Sequence, residues 1–331
     1  MAVYSRLYDG LSSMTESSSD NLAGTTPSHA ARVLVAIIRI FMVLGINRRQ
    51  FIRGVAAIGA AGAVGVGAEA LIVGARDLVV ERIEIQSTKI PRAFDGFTIA
   101  QLSDFHYDPY FSGPVIQAAV SKTNDLRPDV VILTGDYVTE REVHRGRRDP
   151  HGASAALPCA KLLSGLQSDM GTVAVLGNHD FFTDPDVVLA ALQTHGLRVL
   201  RNEAMPLERA GGRVWLAGVD DVLGGGDDLD GTLNGIPDHE FVILLAHEPD
   251  FADRASTRRV DLQLSGHSHG GQICPPLVGP LYLPELGRKY PRGLHRIRGL
   301  TLYTNRGIGT IVIPARLNAP PEITLLTLRT A

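Results

Sequence analysis

Two short segments of this chain place metal-competent side chains two residues apart. Asp104-Phe105-His106 follows the apolar run 97–103, and His267-Ser268-His269 follows the run 260–265. Donors at i and i+2 project to one side of extended backbone, so Asp104 and His106 can converge on one point, and His267 and His269 share that spacing. Three further runs end in the same way: 129–134 at Gly135-Asp136, 172–176 at Gly177-Asn178-His179-Asp180, and 241–246 at His247. Taken singly these fragments are ordinary, since Asp-x-His is commonly an ion pair and Gly-Asp after a strand is commonly a turn. Five of them behind five apolar runs point to one shared site.

The elements that must position these groups also show in the pattern. A continuous β-branched run such as 129–134 (DVVILT) suits a parallel strand buried on both faces. Residues 114–126 fit an amphipathic helix, with Ser112 as cap, Pro114 in the first turn, and Val115, Ile116, Ala119 and Val120 on the apolar face. Asp184-Pro185 opens another, with Val187, Val188, Ala191 and Leu192 as its buried stripe and Gly196 at its exit. Strands alternating with helices make an α/β fold. In open sheets of that class ligands bind outside the carboxyl ends of the strands, where all five fragments fall. No repeat with a period of about 20 to 50 residues is present, which excludes solenoids and propellers.

Bulk properties narrow the chemistry. The 331 residues are 44% hydrophobic and 20% charged, enough to bury a core. A net charge of -3, without interleaved basic and aromatic residues, gives an extended nucleic acid little to follow. Cys159 and Cys274 have no C-x-x-C spacing and define neither a disulfide scaffold nor a thiolate zinc site. Any metal must rest on other ligands. Arg141, Arg145, Arg147 and Arg148 read as a solvated loop.

In this order, Asp104-x-His106, Gly135-Asp136, Gly177-Asn178-His179-Asp180, His247 and Gly266-His267-x-His269 resemble the motif set of the calcineurin-like metallophosphoesterase superfamily. The resemblance runs from about residue 97 to the C-terminus. It implies a sandwich of two mixed β-sheets flanked by helices, with a metal site at the C-terminal ends of the strands. It places Asp104, His106 and His269 on one metal, Asn178, His247 and His267 on a second, and Asp136 between them. That mixture of carboxylate, amide and imidazole suits Mn²⁺ first, and Fe or Zn²⁺ after it, better than Ca²⁺ or Mg²⁺. The family's paired ions activate water to a hydroxide that attacks phosphorus in line. His179 is implied as the general acid, with Asp180 holding its imidazole in the right tautomer. Residues 266–272, the Pro-rich stretch up to Tyr290 and the segment 303–309 narrow the likeness to the YaeI-type bacterial phosphodiesterases, which are exported or membrane-associated. Within the last segment Arg306 is a candidate for reaching the phosphate.

Ahead of this body the composition changes. Residues 10–29 are rich in Ser, Thr and Gly and are expected to be disordered. From Asn21 to Ala68 there is no acidic residue, while Arg32, Arg39, Arg48, Arg49 and Arg53 fall inside that window. Asn47-Arg48-Arg49-Gln50-Phe51-Ile52-Arg53 resembles a twin-arginine export signal. The run 54–74, with six glycines, makes a poor soluble helix but a fitting signal or membrane anchor. The expected organisation is a partly disordered leader at 1–46, a signal or anchor at 47–76 and a catalytic domain at 77–331. Export through the twin-arginine translocase, or anchoring with the body outward, favours a phosphodiester or pyrophosphate of the envelope or of a lipid-linked substrate. A body on the cytoplasmic face would instead suit a UDP-2,3-diacylglucosamine pyrophosphatase of lipid A synthesis. A non-catalytic interaction module on the same fold is the third class, and the intact ligand set weighs against it.

Overall fold

A computed structural model describes residues 74–140 and 150–331, together with 65, 67, 69 and 70. The leader, the twin-arginine motif, most of the run 54–74 and the arginines at 141–148 lie outside the described residues. Among the described residues no helix is long and apolar enough to cross a membrane. Residues 66–331 form one compact unit.

Its described strands build two six-stranded mixed sheets, as the resemblance implied. The first runs in spatial order β1 (Val79–Ser87), β12 (Glu322–Thr330), β2 (Thr98–Leu102), β3 (Val130–Leu133), β4 (Thr172–Ala174) and β5 (Arg198–Val199). The second runs β10 (Gly293–Ile297), β11 (Leu300–Thr304), β9 (Leu262–Ser265), β8 (Phe241–Leu245), β7 (Gly212–Gly218) and β6 (Glu203–Arg209). Pairing is antiparallel between β12 and β2, β10 and β11, and β6 and β7, and parallel elsewhere.

Side-chain alternation sorts these strands into layers. In β3, Val130 and Ile132 face the opposite sheet while Val131 and Leu133 meet helices, so the β-branched run is buried on both faces. Ile243 and Leu245 of β8 likewise join the inter-sheet core, and Val242 and Leu244 the outer layer. That core packs Ile99, Ile132 and Val173 against Leu216, Ile243 and Leu264. Helices α1 (Ser112–Leu126), α2 (Ala156–Leu163) and α4 (Pro185–Thr194) cover the first sheet through Ile116, Ala160 and Val188, with the short α3 (Asn178–Thr183) preceding α4. The carboxyl ends of the parallel strands open on one rim, where Asp104 N–H bonds the Gly135 carbonyl and Gly266 N–H the His247 carbonyl.

Two local expectations are corrected. Phe111, not Ser112, caps α1; the Ser112 hydroxyl donates to the His106 carbonyl at 2.8 Å and accepts the Asp108 N–H at 2.7 Å. It ties the helix start to the loop that carries His106. Val187 is 44% exposed, because Val188, Ala191 and Leu192 at i, i+3 and i+4 form the inward stripe and residue 187 lies about 100° away from its neighbour.

Leu264→Ala is expected to lower the unfolding free energy by about 2 to 5 kcal/mol, since it opens a cavity between the sheets. Val187→Ala should change it by less than about 0.5 kcal/mol. Denaturant titration of the two variants measures the contrast.

Candidate metal centre

Beyond the strand ends the backbone leaves extended geometry at once. Asp104 (φ 51°), His106 (φ 41°), Asp136 (φ 59°), His267 (φ 70°) and His269 (φ 51°) all adopt left-handed conformation. The i, i+2 pairs therefore do not meet by strand alternation, as their spacing suggested. Each residue is turned singly in a loop. Left-handed backbone costs an L-residue about 1 to 2 kcal/mol and persists only where its surroundings enforce it. Here the N–H groups of Phe105 and His106 both bond the Asp136 carbonyl, at 2.7 and 3.0 Å, and Gly309 N–H bonds the Asp104 carbonyl at 2.7 Å. Gly266 is needed for close approach, because a Cβ there would overlap the Ser103 hydroxyl and the Asp104 carboxylate.

The seven candidate ligands come together in two adjoining groups. Ligand atoms of Asp104, His106 and His269 lie within 4.8 Å of one another, as do those of Asp136, His247 and His267. Asn178 Oδ1, 2.8 Å from His267 Nδ1, adjoins the second group. Asp136 Oδ2 faces both, 3.4 Å from His106 Nε2 and 3.1 Å from His247 Nε2. Asn178 is half-buried and the other six are buried.

Proton placement tests whether cations fit. A carbonyl can only accept, so His247 Nδ1 donates to the Thr134 carbonyl at 2.6 Å and His267 Nε2 to the Glu285 carbonyl at 2.7 Å. In the neutral rings the opposite nitrogens then carry lone pairs. That of His267 meets the Asn178 amide oxygen, and His247 Nε2 faces Asp136 outside hydrogen-bonding geometry. The Arg316 guanidinium can only donate to His269 Nδ1, so the neutral His269 ring carries its proton on Nε2 and shares it with His106 Nε2 at 3.0 Å, where a cation would replace it; Thr139 Oγ1 lies 3.0 Å behind His106 Nδ1. Asp104 Oδ2 is buried without a partner. The opposed acceptors of His267 and Asn178 repel unless positive charge lies between them, and Asp104 Oδ2 has no donor to satisfy it, so this set of carboxylate, amide and imidazole donors fits two divalent ions.

Against the pull of burial, the Asp136 and Asp104 carboxylates raise His247 well above the usual imidazole range, so without an ion a proton supplies the positive charge between His247 and Asp136. Burial pushes the Asp104 carboxyl up, while Asp136, against the pull of burial, is held well below the carboxylate range by His247 and His179. Burial also pushes His269 well down, helped by His106 and the Arg316 guanidinium.

His179 forms a third such group with His106 and Asp136, their ligand atoms within 4.8 Å of one another, and turns its ring edge toward His106 at 4.9 Å between centroids. Its Nδ1 accepts the Glu140 N–H at 3.2 Å, which leaves the proton of the neutral ring on Nε2, and burial lowers the imidazole to about 4. Asp180, expected to orient that ring, is committed elsewhere. Its Oδ2 accepts the N–H groups of Asp136 (2.8 Å) and Gly177 (2.9 Å), and its Oδ1 those of Tyr137 (2.8 Å) and Val138 (3.2 Å). As third residue of α3 it reaches back over the helix start, the geometry of a capping box. Arg306 is not free for a phosphate either: Nε pairs with Glu322 at 2.5 Å and Nη2 with Glu81 at 2.7 Å.

Three residues near the site escaped the sequence reading. Arg316 is wholly buried, bonds the carbonyls of Arg306, Gly307, Gly309 and Ala319, and approaches His269 Nδ1 at 3.4 Å. Burial lowers it to about 10. Nothing in its local sequence marks it. Asp221 and Glu248 form a buried carboxyl pair, and burial followed by the Glu248 charge pushes Asp221 up to about 10. The adjacency of Glu248 to His247 was the one available signal.

Oxygen and imidazole donors in two groups, on the rim of an α/β sandwich, define a metal-dependent phosphoesterase hydrolase. A family model for calcineurin-like phosphoesterases matches residues 97–271, and the chain belongs to that family of dimetal enzymes. It is 37% identical over 290 residues to an uncharacterized metallophosphoesterase of Bacillus subtilis, YkuE, covering 86% of this chain and 98% of that one. It is 32% identical over 238 residues to the phosphodiesterase YaeI of Escherichia coli, covering 70% and 82%. A Danio rerio transmembrane protein with a metallophosphoesterase domain is 34% identical over 263 residues, covering 75% of this chain and 57% of that protein.

Asp180→Asn turns an NH₂ group toward backbone N–H donors and is expected to cost about 1 to 3 kcal/mol of stability, read by thermal or denaturant unfolding. Asp221 gives a pH signature. Its folded value of about 10 exceeds its ordinary 3.8, so the native state binds the extra proton and stability falls as pH rises from about 4 toward 10. Melting temperatures across that range should decline less steeply in Asp221→Asn.

Proposed function

We propose that the chain hydrolyses phosphodiester or pyrophosphate bonds of envelope or lipid-linked substrates at a dinuclear centre. The carrying observation is the opposed pair of acceptors His267 Nδ1 and Asn178 Oδ1, together with the buried Asp104 Oδ2 that no donor satisfies. In this reading Asp104, His106 and His269 hold one ion, Asn178, His247 and His267 the other, and Asp136 bridges them. Mn²⁺ is the first candidate, and Fe or Zn²⁺ also suit the donors. When bound, such a pair clamps phosphoryl oxygens and lowers the pKa of its water toward ~7, which supplies hydroxide for in-line attack.

The protein's own groups prepare that chemistry. The carbonyls of Thr134 and Glu285 and the Thr139 hydroxyl engage the rear nitrogens of three imidazoles and leave their other nitrogens for coordination. His179, with Nε2–H available, bonds the phosphoryl or leaving oxygen; the negative charge of bound substrate offsets the burial that otherwise depresses its basicity, and lets it act as the general acid. Asp180 is a positioning residue that fixes the backbone of Asp136 and Gly177.

The likeness to the phosphodiesterase YaeI supports a diester, and that to the zebrafish transmembrane protein supports work beside a membrane. The motif at 47–53 adds outward placement through the twin-arginine translocase, with the apolar run that follows as a lipid anchor. UDP-2,3-diacylglucosamine pyrophosphatase activity is the alternative for a body on the cytoplasmic face.

His179→Ala is expected to retain two metal ions per chain yet lose about 100- to 10,000-fold in turnover. Asp136→Ala should lose the metal itself. Metal analysis after desalting, paired with Mn²⁺-supplemented hydrolysis of a chromogenic phosphodiester, measures both; full activity in His179→Ala would end the acid assignment.

A further inference from the structure

Exposed apolar side chains are concentrated on one part of the surface. Of the twelve large ones exposed among the described residues, eight come from three loops: Tyr110 and Phe111; Leu277, Val278, Leu281 and Tyr282; Val312 and Ile313. Leu277 and Val312 stand free in solvent at left-handed backbone, φ 67° and 65°. For a β-branched residue such as Val312 that conformation is an outlier.

The loops are anchored. The Gln272 carboxamide donates to the carbonyls of Ile311 and Ile313, at 3.0 and 3.1 Å, and accepts the Ile311 N–H at 2.9 Å. Leu281 N–H bonds the Ile273 carbonyl, and Cys274 N–H the Leu317 carbonyl. Two tips are thus joined directly behind His269. The third meets the 312–313 loop in a cleft of about 250 Å³, where Phe111, Val312 and Ile313 share the wall with His106 and Thr139. Residues 275–284 and 309–315 contain no Asp, Glu, Lys or Arg. An adjoining cleft is lined by Phe111 and Pro314 and also by Ala75 and Arg76, where the chain arrives from the apolar run 54–74.

We propose that these three loops dock on a lipid bilayer and hold the mouth of the site at headgroup depth, so that a membrane-resident phosphoester reaches it without leaving the membrane. A folded protein seated on the same loops would close the cleft beside His106. A fluid bilayer covers the apolar rim and itself presents phosphoesters, and Tyr110 and Tyr282 have the amphipathic rings that settle at such interfaces. Ala75 and Arg76 line the cleft beside these loops, so an anchor in the segment that precedes them in sequence would keep the loops close to the membrane that holds it. The substrate part rests on the phosphoesterase reading; the docking does not.

Trp215 is the chain's single tryptophan and sits on β7 with its indole N–H bonded to Glu240. Leu277→Trp and Val312→Trp in the full chain therefore place separate reporters on the loops. With phosphatidylcholine and phosphatidylglycerol vesicles brominated along the acyl chains, the added emission should fall at least twofold, equally in the presence of EDTA, while wild-type emission stays constant. In Leu277→Asp/Leu281→Asp the ratio of hydrolysis of a vesicle-embedded diester to that of a soluble chromogenic diester should drop at least fivefold. Absence of quenching overturns the docking. So does a dimer in solution that the two aspartates dissolve, which would assign the face to a second copy. Quenching without hydrolysis of either diester would overturn the phosphoesterase reading and leave the docking in place.

Discussion

Four backbone N–H groups converge on the Asp180 carboxylate, three from residues 136–138 and one from Gly177. Those donors belong to the turns after β3 and β4, the turns that carry Asp136, Asn178 and His179. Burial and the nearby Asp136 charge push Asp180 up to about 7, and the N–H donors oppose that rise. A single side chain thereby satisfies polar backbone that could not otherwise be taken out of water. It also explains how Asp136 is kept at φ 59°, a conformation that free backbone would leave.

The candidate centre straddles the two sheets. Asp104, His106, Asp136 and Asn178 follow strands of the first sheet, and His247, His267 and His269 follow strands of the second. Their convergence depends on how the sheets are seated, hence on the apolar contacts of Ile99, Ile132, Ile243 and Leu264 between the sheets. Polar links reinforce the seam near the site: the Gln101 amide donates to the Ser265 carbonyl, and His267 N–H to the Asp104 carboxylate. Packing and chemistry are therefore not separable here.

How much of this was legible in the sequence follows from what each residue has to do. Metal-competent groups must be specific residue types at strand ends, so those ends, the strands behind them and the α/β class could be read from local pattern, while the choice of seven ligands with His179 apart from them came from the family resemblance. Left-handed turns leave no such trace, because Asp and His adopt them only under tertiary constraint. Asp180 was misread since adjacency to His179 suggested a ring partner, whereas the start of α3 turns its carboxylate back toward backbone. Arg306 was misread since its partners, Glu81 and Glu322, come from the paired strands β1 and β12, which lie far apart in sequence and meet only in the fold. Ser112 and Val187 show the same limit on a smaller scale: residue type suggested a cap and a stripe, and the exact helix start decided otherwise.

Arg316 lends the C-terminal side of the centre an uneven plasticity. Its guanidinium is bonded to main-chain oxygens of residues 306, 307, 309 and 319, so the stretch beneath Asp104 is defined by a lattice that ignores side-chain identity but tolerates no change in path. The neighbouring stretch 275–284 makes no bond to that guanidinium among the described contacts. Descendants of this chain can thus revise the second stretch, one residue or several at a time, while the first stays constant, and new preferences for what is cleaved can arise without rebuilding the apparatus that cleaves it.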